Sequence, residues 1–343
     1  MIAMNATGTK YFLITIDVED WFQVENFKPW IPLSTWDSRE LRVERNVNRL
    51  LDLFDAITLK PSEPSTCNSP LVENDGQDSR CQEDNNIEPT PIYNKLRTTD
   101  DRHARKVQAT FFILGWIAER FPSLVREIRS RGHEVASHGY NHDLPSKISS
   151  EELQRDLIKS KKVLSDITGN PVYGYRSPSF AVSDETLKTI QDSGFRYDSS
   201  YNSFSRHGRY GQISLNGYGR KGIAHKLSDN FYEIPISNLM ISRQILPWGG
   251  GGYFRLTPYR LFRLGVQRIL RMDEAYLFYV HPWEIDPDQP KVNSASVSCK
   301  LRHYANLNKA KIRLKRLIEN FSQHRFVTCS EYLILTEGVG LQS

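Results

Sequence analysis

The chain of 343 residues has little cysteine, no long hydrophobic run and no dense block of basic residues. Its four cysteines are widely spaced and form no CxxC pair, so neither a disulfide scaffold nor a cysteine-based zinc site is indicated. No stretch approaches the roughly 18 apolar residues that a membrane-spanning helix needs. The net charge of +5 is spread over 45 basic and 40 acidic side chains, which argues against nucleic-acid binding.

The N-terminal residues predict a cytoplasmic protein. The apolar run at 11–16 is shorter than the roughly 7–15 residues of a secretory signal, and no small-residue cleavage site follows it.

Residues 60–105 are rich in Pro, Ser, Asn, Asp and Glu, and Tyr93 is their only aromatic residue. Such a segment buries too little apolar surface to offset its ordering entropy. We therefore expect a disordered insertion between two parts, 1–59 and 106–343, of a single domain.

Outside this segment, strand-like and helix-like runs alternate. Short runs rich in β-branched and aromatic residues predict strands at 11–17, 108–114, 133–137, 172–175, 195–198, 232–236 and 275–280. Helical spacing predicts helices at 43–57, 119–131, 151–168, 184–193, 258–271 and 308–323, the third beginning with a capping box at Ser149 and Glu152. The alternation indicates an α/β fold with a parallel sheet, either a nearly closed seven-stranded (β/α) barrel or a doubly wound open sheet.

Polar residues stand at the C-terminal ends of five of these predicted strands: Asp17, Glu19, Asp20, His138, His142, Arg176, Asp198 and His281. In a barrel, these strand ends form one rim on which catalytic groups converge. The sequence therefore predicts a site at this rim.

The residue types on the rim favour metal chemistry. His138 and His142 are spaced i, i+4, which puts two imidazoles on one face of a helical turn. Together with a carboxylate they suit Zn²⁺ or another first-row metal, although two capping histidines would give the same spacing. The acids at 17–20 would repel one another unless a positive group lies among them. They are interpreted as one metal ligand plus one general base, with solvated strand-end acids as the alternative.

The motifs also resemble a known family, the NodB-like polysaccharide deacetylases, which are metal-dependent carbohydrate esterases on a distorted seven-stranded (β/α) barrel. The matching segments are 15–20 (TIDVED), 137–142 (SHGYNH), 176–180 (RSPSF), 198–200 (DSS) and 279–283 (YVHPW). Four further segments resemble the branch found at exopolysaccharide and exosortase loci: 17–24 (DVEDWFQV), 110–116 (TFFILGW), 250–255 (GGGYFR) and 281–287 (HPWEIDP).

The resemblance implies a role for each rim residue. Asp17 corresponds to the general base, Arg176 to the residue that orients it, and His281 to the general acid. His138 and His142 correspond to metal-binding histidines, with zinc the expected metal, and Asp198 falls near the acid that tunes the general-acid histidine. In most of the family the acidic metal ligand directly follows the base, but here Val18 intervenes. The ligand is therefore Glu19 or Asp20, and strand alternation favours Glu19.

The expected function is deacetylation of N-acetylated amino sugars in an exopolysaccharide or its precursor. Hydrolysis of a cyclic or small-molecule amide on the same barrel is one alternative. A non-catalytic carbohydrate-binding barrel is another. Glycoside hydrolysis by paired carboxylates leaves the two histidines without a purpose.

Overall fold

The computed structural model describes residues 10–60, 105–204 and 208–337. The predicted disordered insertion lies outside the described residues except for its two ends. These ends lie side by side, since the Leu59 N–H donates a hydrogen bond of 3.1 Å to the Arg105 carbonyl. The chain therefore leaves and re-enters the domain at a single point.

Seven parallel strands form the main part of a curled ten-stranded sheet. In sheet order they are β11 (Ala275–Val280), β1 (Tyr11–Val18), β2 (Ala109–Ile113), β3 (Glu134–Ser137), β4 (Gly174–Tyr175), β5 (Tyr197–Asp198) and β8 (Phe231–Glu233). Antiparallel strands β6 (Gly219–Lys221) and β7 (Ala224–Ser228) extend the sheet beyond β8, and β12 (Arg325–Phe326) pairs with the start of β1. A separate hairpin joins β9 (Asn238–Ile241) to β10 (Gln244–Pro247).

All seven predicted strands are present, but in place of the predicted nearly closed barrel the sheet forms a half-barrel. Within the described part of the chain, β8 does not pair with β11. The glycine run occupies the free edge of β11 instead, because the Tyr279 N–H donates to the Gly249 carbonyl at 2.7 Å. A Cβ on Gly249 would lie 2.6 Å from Ile236 Cγ2, so only glycine fits at this close approach. The result is an open half-barrel.

Helices pack against the sheet. They are α1 (Val43–Asp55), α2 (Gly115–Arg120), α3 (Pro122–Ser130), α4 (Ser150–Thr168), α5 (Asp184–Asp192), α6 (Gly251–Leu256), α7 (Tyr259–Asp273), α8 (Val297–Tyr304), α9 (Leu307–Asn320) and α10 (Cys329–Glu337). The capping box at Ser149 and Glu152 is present. The helix predicted at 119–131 is instead two helices, because Pro122 lacks the N–H needed to continue α2 and begins α3. No helix in the described ranges is long and apolar enough to span a membrane.

Strand alternation decides which side chains of β1 point into the half-barrel. Phe12, Ile14 and Ile16 pack in a core with residues of most of the helices, whereas Leu13 packs in a second core with residues of β2, β8, β11 and α10. Since side chains alternate between the two faces of a strand, Asp17 lies on the same inner face as Leu13. The strand thus delivers a carboxylate to the inside of the rim.

Candidate active site

Five of the predicted site residues line one pocket at the C-terminal end of the sheet: Asp17, Glu19, His138, His142 and His281. They come from β1, β3 and β11 and from the turns that follow these strands. Arg176 lies against this group, whereas Asp20 and Asp198 do not line the pocket.

Asp17 and Arg176 form a buried ion pair. The Arg176 Nη1 donates to Asp17 Oδ1 at 2.7 Å and to Thr15 Oγ1 at 2.7 Å, and its other nitrogens donate to the carbonyl and hydroxyl of Ser199 at 2.8 Å. Burial acts to raise the pKa of Asp17, but the Arg176 guanidinium and the nearby imidazoles outweigh it, so the pKa lies below the usual value. Asp17 is therefore an oriented carboxylate, as a general base must be.

Glu19 lies between two histidines. Its Oε2 lies 3.2 Å from His142 Nε2, and its Oε1 lies 3.0 Å from His281 Nε2. Although Oε2 is buried, it has no hydrogen-bond partner within the described residues. Such an orphaned carboxylate oxygen is unusual in a folded protein and calls for a positive partner.

The two metal-binding candidates of the histidine motif are neutral. Burial lowers the pKa of His138 below its usual value and that of His142 well below it. The His138 Nδ1 lies 2.8 Å from the Arg176 carbonyl. Because a carbonyl only accepts, Nδ1 carries the proton and Nε2 keeps its lone pair. A backbone carbonyl behind the ring is the usual arrangement for a metal-ligating histidine.

The donors at this position fit a divalent metal. In a tetrahedral site with bonds of about 2.0–2.1 Å, neighbouring ligand atoms lie about 3.3 Å apart, close to the 3.2 Å between His142 and Glu19. The rings of His138 and His142 have centroids 5.3 Å apart. Across residues 10–60, 105–204 and 208–337, no three His, Cys, Asp or Glu side chains already meet as a complete metal-binding cluster. Glu19, His138 and His142 are the residues that would hold the ion.

His281 is held by a second carboxylate that was not predicted. Its Nδ1 lies 2.9 Å from Glu284 Oε1, and the other oxygen of Glu284 accepts a hydrogen bond of 2.7 Å from Arg255 Nε. Burial acts to lower the pKa of His281, but Glu19 and Glu284 raise it to about 10. Burial acts to raise the pKa of Glu284, but Arg255 and His281 lower it to about 2. His281 is therefore a partly buried group whose charged form is favoured, suited to donate a proton.

The sequence carries a signal for this chain of contacts. Glu284 follows His281 by three residues in HPWE, and Arg255 ends the motif GGGYFR. A Cβ on Gly251 of that motif would lie 2.2 Å from Glu284 Oε1. The glycine run thus makes room for the carboxylate that contacts His281.

Asp20, one of the two candidate acidic ligands, does not face the metal-binding candidates. Its Oδ1 accepts from the Trp21 N–H at 2.8 Å, and its Oδ2 accepts from the N–H groups of Arg42 and Val43 at 2.6 and 2.9 Å. The side chain therefore satisfies backbone donors at the start of α1, where unpaired N–H groups need a partner. This geometry corrects the inclusion of Asp20 among the candidate metal ligands and leaves Glu19.

Asp198 also differs from expectation. Its carboxylate accepts hydrogen bonds from the hydroxyl and N–H of Ser200 at 2.7 and 3.0 Å, and it stands in register with Glu233 on β8. Burial raises the pKa of both carboxyls, and the charge of Asp198 raises that of Glu233 further, so the pair retains a proton. The carboxylate in contact with His281 is Glu284 instead.

Comparisons with known proteins match two families to different parts of the chain. A family described as "Polysaccharide deacetylase" matches residues 102–197, and a "Domain of unknown function (DUF3473)" matches residues 199–333. The chain is 32% identical over 108 residues to a peptidoglycan-N-acetylglucosamine deacetylase of Bacillus cereus, covering 32% of this chain and 50% of that protein. It is 34% identical over 99 residues to a peptidoglycan deacetylase of Helicobacter pylori, covering 28% of this chain and 34% of that protein. The chain thus spans half or less of the length of these curated relatives.

A solved structure has the same fold over nearly the whole chain. It is described as a polysaccharide deacetylase from Mycobacterium smegmatis, and it covers 97% of this chain and 92% of its own, with a TM-score of 0.55 and 16% identity. At this identity the likeness concerns the fold. The chain is thus similar to the polysaccharide deacetylase family over residues 102–197 and to DUF3473 over residues 199–333.

Proposed function

We propose that this protein is a metal-dependent deacetylase that hydrolyses N-acetyl groups of amino sugars. One observation carries the proposal. The Asp17 carboxylate fixed by Arg176 and the imidazolium of His281 line the same pocket as Glu19, His138 and His142. A base, an acid and a set of metal donors around one small space are what amide hydrolysis requires.

The chain's own residues supply the proton transfers. Asp17 accepts the proton of the attacking water, and Arg176 keeps that carboxylate ionised and oriented. His281 donates a proton to the leaving amine, which would otherwise depart as a strongly basic anion. Glu284 holds Nδ1 of His281, so Nε2 is the nitrogen that faces the pocket. A divalent metal held by Glu19, His138 and His142 would supply Lewis acidity toward the amide carbonyl and the water.

The match to DUF3473 gives that segment a function in this proposal. His281, Glu284 and Arg255 all lie within residues 199–333, whereas Asp17 lies before both matched segments and His138 lies within residues 102–197. The segment of unknown function would therefore complete the acid half of the site. It would not act as a separate module.

The substrate class rests on the relatives and on the motifs. The curated relatives are named for deacetylation of peptidoglycan or chitooligosaccharide, and the branch-like motifs favour an exopolysaccharide or its precursor. We propose zinc as the metal and a cytoplasmic location, which would favour a precursor over a finished polymer.

Acetate release tests the proposed function. Purified protein, stripped of metal and then reloaded with Zn²⁺, is incubated with N-acetylated chito-oligosaccharides, and free acetate is measured. We expect release by the reloaded protein and by the surface control Asp192→Asn, and none by Asp17→Asn. Acetate release by Asp17→Asn at the wild-type rate would contradict the base assignment. Turnover of cyclic amides without acetate release would favour the alternative hydrolase, and sugar binding without turnover would favour the non-catalytic barrel.

A further inference from the structure

Two arginines line the mouth of the catalytic pocket and take no part in the chemistry described above. Arg209 and Arg302 stand with Tyr210, Trp283 and Asn26 around its opening. The guanidinium of Arg209 donates to the neutral amide oxygen of Asn26. In the part of the chain that the structure describes, neither arginine forms an ion pair with a carboxylate. Both positive charges are therefore uncompensated there.

The acids of the pocket are already committed to other partners. Asp17 is paired with Arg176, and Glu19 lies between His142 and His281. Glu25, the other acid that lines the pocket, lies 2.9 Å from Lys28 and 3.2 Å from Lys147. The opening consequently carries a net positive charge that none of these acids neutralises.

The charges of both arginines reach the same side chain of the pocket, Tyr210. Burial raises the pKa of Tyr210 to about 12, and the charges of Arg209 and Arg302 both act against that rise. Both guanidinium groups are thus close enough to Tyr210 to affect its pKa, and both line the same pocket as His142.

Guanidinium groups in such positions select for anions. The planar fork of arginine matches carboxylate and phosphate groups with two parallel hydrogen bonds, and it remains charged at any physiological pH. A neutral N-acetylated sugar offers no group that would pair with these charges.

We propose that the pocket takes an N-acetylated sugar that carries an anionic group, a carboxylate or a phosphate, beside the acetylated residue, and that Arg209 and Arg302 bind this group. The inference rests on the proposed deacetylase function and names its substrate class. Arg209 is half-buried and Arg302 is exposed, so Arg209 would fix the anion near the acetyl group while Arg302 approaches it from solvent.

The test compares three N-acetylated substrates with the Zn²⁺-loaded wild-type protein. Diacetylchitobiose is neutral, a hyaluronan tetrasaccharide carries carboxylates, and UDP-N-acetylglucosamine carries a diphosphate. We expect at least one anionic substrate to exceed the neutral one in kcat/KM by about tenfold or more, the effect of a hydrogen bond to a charged group. The preference should shrink as salt is raised, because the opening is solvent-exposed. Whichever anion is preferred distinguishes the carboxylate source from the phosphate source.

Variants at the two arginines connect the preference to this surface. In Arg209→Gln and Arg302→Gln the ratio of anionic to neutral kcat/KM should fall by about tenfold each. The control variant Arg126→Gln, which replaces an exposed arginine of α3, should keep the wild-type ratio. A wild-type ratio near one, with acetate released from diacetylchitobiose, would overturn the anion site and leave the deacetylase function standing. A ratio unchanged in both variants would overturn it equally. Release of acetate from none of the three substrates would instead contradict the proposed function.

Discussion

Replacing Glu284 by glutamine should remove most of the acid catalysis by His281 at alkaline pH. The substitution keeps the size of the side chain but removes the negative charge that lies 2.9 Å from His281 Nδ1. An amide that accepts from Arg255 turns its NH2 group toward His281, where Glu284 accepts in the wild type. What changes is the stability of the imidazolium that donates a proton to the leaving amine.

The expected effect follows from the charges involved. Two unit charges about 4 Å apart attract by about 4 kcal/mol at an effective dielectric constant of about 20. Since about 1.4 kcal/mol corresponds to a change of 1 in pKa, loss of this attraction would lower the pKa of His281, which is about 10 in the wild type, by about 2 to 3. Glu19 also lies 3.0 Å from His281 Nε2 and supports part of its charge. Because the acid must be protonated to act, we expect kcat to fall by about 10- to 100-fold at pH 9 and little at pH 6.

The leaving group separates this role from a merely structural one. An N-acetyl sugar needs a proton on its departing amine, whereas p-nitrophenyl acetate leaves as a stable phenolate. At pH 9, Glu284→Gln should thus lose far more activity on the amide than on the ester, with KM for the amide little changed. The exposed control Glu44→Gln should behave as wild type on both. Equal losses on both substrates at pH 9, or a kcat on the amide at pH 9 within about threefold of wild type in a folded protein, would refute the acid role.

Three further variants test other parts of the site. Asp20→Ala should lower the free energy of unfolding, measured in urea, by about 1–2 kcal/mol, because the N–H groups at the start of α1 lose their acceptor. The amount of bound metal should stay at the wild-type level. Loss of the metal would restore Asp20 as a ligand. Gly251→Ala should lower kcat on the amide, because its Cβ would lie 2.2 Å from Glu284 Oε1. An unchanged kcat in steady-state kinetics would show that the contact between Glu284 and His281 does not depend on glycine at this position. Arg176→Lys should lower kcat by at least about tenfold, because lysine cannot reach Asp17, Thr15 and Ser199 together as Arg176 does. A kcat near the wild-type value would mean that Asp17 does not depend on the guanidinium group of Arg176.

The seven parallel strands and most helices were predictable because they follow local patterns, whereas the short strands β6, β7, β9, β10 and β12 were not predicted. The strand predicted at 275–280 has those bounds in the structure, since a run of large apolar residues has no alternative to burial. Closure of the barrel was not predictable. It depends on whether β8 or the glycine run occupies the free edge of β11, which is a contact between distant segments.

The site was predictable where residues stand directly at strand ends. Asp17, His138 and His281 fall on the rim because their strands end there. Glu19 could be separated from Asp20 only in part, because the decisive partners of Asp20 are backbone N–H groups at Arg42 and Val43. Asp198 was expected near His281, but Glu284 is the carboxylate in contact with it, because single-sequence spacing does not reveal which carboxylate faces an imidazole.

Metal content tests the central assignment most directly. The zinc content of four purified proteins is measured by elemental analysis: wild type, Glu19→Ala, His142→Ala and the partly exposed control His324→Ala. Each is purified without chelator, loaded with Zn²⁺ and then dialysed against Zn²⁺-free buffer. We expect about one zinc per chain in wild type and in His324→Ala, as in a catalytic site with three protein ligands. Glu19→Ala and His142→Ala should lose nearly all of it while remaining folded. Zinc retained at the wild-type level by both of these variants, or acetate released at full rate by metal-free wild type, would contradict the assignment.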